Sequence, residues 1–109
     1  MEINKIEKQS VAIKFIAKEK SKEIGRAFLY LIYNDLHTEP YGLLEDVFVD
    51  EASRGKGIGN TLVLAVIHEA KKRGCYKLIA TSRESRHAIH TWYERLGFKN
   101  YGLEFRMDL

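Results

Sequence analysis

A chain of 109 residues has room for one compact domain around one core and not for two, so residues 1–109 are read as a single domain. A hydrophobic share of 45% with 30% charged residues excludes a disordered chain. The balance of 18 Lys and Arg against 15 Asp and Glu leaves +3, with no basic run long enough for a nucleic-acid stripe, and suits at most a polyanionic small ligand.

In chain order, Val11 to Ala17 alternates apolar and polar, Ile24 to Tyr33 is rich in β-branched and aromatic residues, and Tyr41 to Val49 repeats the pattern. These are expected strands, joined as an antiparallel meander because the breaks at Lys18 to Glu23 and Asn34 to Pro40 are short and polar. Ile3 to Ile6 is expected to add an edge strand. The opening Met1-Glu-Ile-Asn-Lys-Ile-Glu7 has no apolar core of a leader, and no apolar run reaches the ~18 residues of a membrane span. The expectation is a cytoplasmic protein with no membrane partner.

The period then changes to that of a helix. From Ile58 to Arg73 the residues Ile58, Leu62, Ala65, Val66 and Ala70 fall on one stripe. Lys71, Lys72 and Arg73 complement the negative end of the helix dipole, and Gly74 is the expected stop. Tyr76 to Thr81 reads as a buried strand, so strand, helix and strand form a parallel crossover. A second helix over Ser85 to Leu96 carries Ala88, Ile89, Trp92, Tyr93 and Leu96 on one face and ends at Gly97; Phe98 to Leu109 is expected to be a further strand or hairpin. The fold class is α+β: a mixed, mainly antiparallel sheet with two main helices and a parallel pair. Cys75 is the lone cysteine, which excludes an internal disulfide and makes a buried inert thiol its expected role. His37, His68, His87 and His90 are not spaced as a ligand cluster, and no metal is expected.

Between the strand at Val49 and the first helix lies Arg54-Gly-Lys-Gly-Ile-Gly59. A helix that starts inside a glycine run offers backbone N–H groups at its positive end, and glycines let a phosphate approach. Arg54 and Lys56 would add charge-assisted contacts. The competing reading is a tight turn and nothing more. A Walker A loop needs Ser or Thr after its Gly-Lys, whereas Gly57 follows Lys56, and the dinucleotide fingerprint needs Gly-x-Gly-x-x-Gly, whereas the spacing here is Gly-x-Gly-x-Gly.

Arg54, Gly57 and Gly59 occupy the Arg/Gln-x-x-Gly-x-Gly/Ala positions of the GCN5-related N-acetyltransferases, which the chain resembles over roughly residues 10 to 109. Tyr93-Glu-Arg-Leu-Gly-Phe98 resembles that family's Tyr-x-x-x-Gly-Phe ending, Ala88 and His90 sit where members often place them, and Glu104 to Leu109 is similar to its last strand. The resemblance implies acetyl-CoA as co-substrate, with Arg54, Gly55, Lys56, Gly57, Ile58, Gly59 and Asn60 around the pyrophosphate and Val47, Phe48 and Val49 along the pantetheine arm, in a splay between the Glu45 to Val49 and Tyr76 to Thr81 strands. Arg86 stands where many members carry a cofactor-contacting Asn. The family's usual helix pair between its first two strands has no counterpart, a short form whose acceptor side would be open or completed by a second subunit.

An alkylamine is only about one part in 10³ neutral at pH 7, so acetyl transfer needs a base, and the leaving thiolate needs a proton or stabilisation. The resemblance makes Tyr93 the acid; donation from a phenol to a thiolate is uphill by roughly 2 kcal/mol in the reference state. Leu44-Glu-Asp-Val-Phe-Val49 resembles the Leu-Glu-Asp-aromatic-Phe-Val string of polyamine acetyltransferases, which favours Glu45 as base over Asp46. An ideal pleat separates the two carboxylates onto opposite faces, and a bulge, as the family has here, would change that. His90 is a candidate for the substrate side and Glu84 a reserve base. The expected activity is direct acetyl transfer to a primary amine, whether polyamine, small molecule, protein N-terminus or lysine. A non-catalytic acyl-CoA-binding module and a dimeric interaction domain are the alternatives, and a homodimer fits either an enzyme or a module.

Overall fold

The computed structural model describes residues 1–109. Three strands run consecutively, β1 (Val11–Glu19), β2 (Lys22–Ile32) and β3 (Tyr41–Val49), followed by a 3-10 turn at Glu51–Ser53, helix α1 (Ile58–Lys72), the short strand β4 (Leu78–Ala80) and helix α2 (His87–Arg95). The sheet order is β1-β2-β3-β4, with β1, β2 and β3 antiparallel to their neighbours. The crossover through α1 brings β4 parallel to β3, where the Gly42 amide donates to the Lys77 carbonyl at 2.9 Å and the Tyr76 amide to that of Pro40 at 3.1 Å. The mixed α+β sheet expected from the sequence is the one observed.

The chain divides into two compact units, Met1–Ile79 and Ala80–Leu109. In the first, Ala27, Leu29 and Leu31 alternate along one face of β2 and are buried with Leu44 of β3 and Leu62, Val63, Val66 and Ala70 of α1. Period two on the strand meets period 3.6 on the helix, which is how one apolar stripe covers the other. Val63 belongs to this core although the helical stripe read from the sequence left it out, and Ala65 is only half-buried. The β1–β2 hairpin closes through Lys20 and Ser21, both at positive φ (51° and 66°), the two-residue geometry whose twist matches that of the strands. Gly74, at φ +76°, ends α1 as its position implied.

Several expectations fail in detail. Ile3 and Ile6 are 86% and 81% exposed and form no strand; spaced three apart among polar residues, they do not share one face of a strand. β4 is shorter than Tyr76 to Thr81. In the second unit α2 runs from His87, not Ser85, and buries no residue fully; Ile89, Trp92, Tyr93 and Leu96 are half-buried and Ala88 is exposed. Phe98 to Leu109 forms neither strand nor hairpin: it joins no sheet, and the Phe98 amide instead donates to the Tyr93 carbonyl at 3.0 Å at the end of α2.

Candidate active site

The β2–β3 ladder slips between Arg26 and Phe28: Arg26 pairs with Phe48 and Phe28 with Glu45. Two residues of β3, Asp46 and Val47, therefore stand against Ala27 alone, which is a β-bulge. Asp46 takes φ +49°, a left-handed conformation that Asp tolerates better than most residues. Arg26 holds it there with two hydrogen bonds, Nε to Oδ2 at 2.8 Å and Nη2 to Oδ1 at 3.1 Å, while its guanidinium lies 4.7 Å from the Phe48 ring centroid. The hydrogen bond from Arg26 lowers the Asp46 carboxyl below its ordinary value, and Asp46 raises Arg26 in return. Asp46 is thus committed to a partner. The Glu45 side chain, half-buried opposite Phe28, makes neither a hydrogen bond nor an ion pair.

Arg26 was missed by sequence reasoning, and no local signal marks it. Its partner is 20 residues away, and only the strand register joins them. The bulge also cancels the alternation that would have separated Glu45 from Asp46.

After β3 the chain turns through Glu51–Ser53 into the glycine run. Arg54 Nε donates to the Val49 carbonyl at 3.0 Å and its guanidinium sits 5.9 Å from the Phe48 ring, so the arginine is tied to the end of β3 while its side chain stays exposed. Gly55 and Gly57 have φ of +82° and +77°, and a Cβ built on either would meet nothing within 4 Å. Gly57 is the N-cap of α1, and no side chain caps that helix. Its positive end therefore faces open space, flanked by exposed Arg54 and Lys56, which is the electrostatic and steric requirement of a phosphate site. Toward β4, the ladder that joins Gly42 to Lys77 stops with the end of that strand at Ala80.

The first unit thus brings together Glu45, the Val47 to Val49 edge and residues 54–60. A cavity of about 470 Å³ lined by Phe15, Ile24, Lys56, Ile58, Leu62 and Ala65 flanks the same helix start but touches neither Glu45 nor residues 47–49. The second unit holds Arg86, His90 and Tyr93. Arg86 is the exposed N-cap residue of α2. His90 Nε2 donates to the Arg83 carbonyl at 2.8 Å, which fixes the ring and uses that N–H. Tyr93 is half-buried between Trp92 and Phe98, with ring centroids 5.3 Å from each. Glu84 is exposed, and no three His, Cys, Asp or Glu side chains converge. Burial pushes the Cys75 thiol up, away from nucleophilic character. No helix is long and apolar enough to cross a membrane.

Residues 3–98 match the model of the acetyltransferase (GNAT) family. The chain belongs to that family. It is 38% identical over 68 residues to the glucosamine 6-phosphate N-acetyltransferase of Trypanosoma brucei brucei, a match covering 62% of this chain and 44% of that protein. Glucosamine 6-phosphate N-acetyltransferase 1 of Oryza sativa subsp. japonica is 50% identical over 57 residues, 52% of this chain and 33% of that protein. The GNAT chain therefore spans less than half the length of these curated relatives. Among solved structures, a putative acetyltransferase from Agrobacterium tumefaciens str. C58 superposes with a TM-score of 0.84 at 31% identity, over 90% of this chain and 69% of that one.

Proposed function

We propose that the protein transfers acetyl from acetyl-CoA directly to a primary amine. The observation that carries this reading is the run from the bulge at Asp46 to the uncapped start of α1: a bulged strand leads into two left-handed glycines with open space around them. Acetyl-CoA would supply the activated thioester. The α1 N-terminus with Arg54 and Lys56 would hold the pyrophosphate, and Gly55, Ile58, Gly59 and Asn60 would complete that loop. Backbone N–H groups along Val47 to Val49 would bind the pantetheine arm and polarise the carbonyl.

Glu45 is the proposed base. Its support is negative and positive at once: Asp46 is occupied by Arg26, while Glu45 is on the strand that leads to the cofactor loop and has no partner. The proton acid at the leaving sulfur is assigned to Tyr93 and a cofactor contact to Arg86, on their positions in the family motif. The names of the curated relatives make a small amino sugar phosphate the first acceptor to examine, ahead of polyamines and peptides.

The test is thiol release from acetyl-CoA across a panel of amines led by glucosamine 6-phosphate. Amine-dependent release that falls at least about tenfold in Glu45→Gln and in Tyr93→Phe supports both assignments. Cofactor protection of the fold without release for any amine would reduce the protein to an acyl-CoA-binding module, and unchanged turnover in either variant would remove that residue from the mechanism.

A further inference from the structure

Alternation and register fix which side chains share the sheet face opposite α1. Leu29 and Leu44 pair directly and are both buried in the core. Their neighbours Phe28 and Glu45, also a direct pair, therefore project together from the other face. Tyr30, paired with Leu43, lies two residues along on that face. Its ring stacks on that of Phe28, with centroids 5.9 Å apart and planes 13° from parallel. The proposed base thus stands beside two aromatic rings and a leucine, with a ring and not a polar group directly across from it.

The charges in the rows around the base almost cancel. Lys14 stands across Phe28 on its other side, and its Nζ lies 3.2 Å from Glu23 Oε1. Arg26 is taken by Asp46 through two hydrogen bonds. Lys77 is 5.0 Å and 5.3 Å from the ring centroids of Tyr41 and Tyr76, at the start of β3, where Tyr41 is roughly 13 Å of strand from Glu45. Lys14 and Arg26 therefore meet Glu23, Asp46 and Glu45, and the balance of −1 is the charge of Glu45.

We propose that the acceptor is a primary monoamine with an apolar or aromatic body, its ammonium at Glu45 and its body against Phe28, Tyr30 and Leu43. This rests on the acetyl-transfer reading and narrows it. One ammonium cancels the charge of the face and leaves nothing over. A phosphate, at about −1.5 to −2 near neutral pH, would meet a net negative face whose two cations are already paired, which is selection by repulsion. The further ammonium groups of a polyamine would find no second free carboxylate in these rows. An apolar body, by contrast, gains from contact with the rings. In the transfer, nitrogen gains the bond to the acetyl carbon that sulfur loses. One ammonium proton passes to Glu45 and on to water, and a second ends on the thiolate to give the CoA thiol.

The test compares kcat/KM for 2-phenylethylamine, ethylamine, spermidine and glucosamine 6-phosphate at one acetyl-CoA concentration. 2-Phenylethylamine should exceed each of the others by about tenfold or more. Phe28→Ala should narrow its advantage over ethylamine to about twofold; a ratio taken within one preparation is independent of how much of the variant is folded. Glu23→Gln, which takes the partner from Lys14 and brings the face to neutrality, should raise glucosamine 6-phosphate relative to 2-phenylethylamine about threefold. A wild type that prefers glucosamine 6-phosphate or spermidine overturns the proposal and leaves acetyl transfer standing. So does an aromatic preference that Phe28→Ala leaves intact, or a discrimination against the sugar phosphate that Glu23→Gln leaves unmoved. Protection of the fold by acetyl-CoA with no thiol release for any amine removes the acetyl-transfer reading itself, and this one with it.

Discussion

In the first unit Leu29, Leu31, Val63 and Val66 are almost wholly buried between the sheet and α1, whereas in the second unit α2 buries no residue and residues 101–109 are open to solvent. Both regions have regular apolar spacing. What differs is the partner face inside each unit: in the first, β2 and α1 cover each other's apolar stripes, while in the second α2 alone accompanies residues 101–109. Periodicity records that a residue is meant to be covered; the covering element is a separate matter.

The comparison can be broken most directly in the core. Leu29→Ala removes a wholly buried side chain and should cost about 2–5 kcal/mol in urea or thermal unfolding; a loss under about 1 kcal/mol would show that the first unit is looser than its packing. Next comes the glycine turn. Gly57→Ala forces a Cβ into φ +77°, expected to cost roughly 1–2 kcal/mol and to reduce protection of the fold by acetyl-CoA in a melting experiment. Since nothing crowds the site, the strain is in the backbone, and Gly57→Asn should cost less than Ala. For the second unit, Ile89→Ala removes a half-buried side chain and should cost about 1 kcal/mol, well below Leu29→Ala; equal losses would erase the contrast between the units.

The smallest change in stability is expected at Arg26→Ala, because the Arg26–Asp46 pair is solvent-exposed. Its effect should appear as weaker acetyl-CoA protection, through a bulge no longer held in its left-handed turn. The same pair defines a pH window. The hydrogen bond from Arg26 holds Asp46 below the ordinary carboxylate value, so its contribution is fully present above that ordinary value and is lost as pH falls through the lower, folded one. Acetyl-CoA affinity that weakens between pH 7 and 5 in the wild type and not in Arg26→Ala would contradict this.

The geometry of the glycine turn was legible in the sequence. A strand running into Arg54-Gly-Lys-Gly-Ile-Gly59 and then into a helical stripe specifies a helix start among glycines, and left-handed Gly55 and Gly57 with no side-chain cap are what such a turn requires. The division of labour between Glu45 and Asp46 was not legible. Both carboxylates look alike in a string of residues, and their difference depends on a partner in another strand and on one extra residue in a ladder. The segments that failed, Ile3 to Ile6 and Phe98 to Leu109, did so for the same reason: strand pattern is local, and strand formation is not, since half of its hydrogen bonds come from another stretch of chain.

By itself, the sequence determined the three-strand meander, the α1 stripe with its glycine start and cationic end, and the family, because each follows from spacing between near neighbours and the geometry those spacings allow. Only the tertiary structure decided the bulge at Asp46, the Arg26 clamp that leaves Glu45 as the unpaired carboxylate, and the exposure of residues 101–109. Those depend on register and on which surfaces meet, and register is set by the sum of contacts along two strands and not by either strand alone.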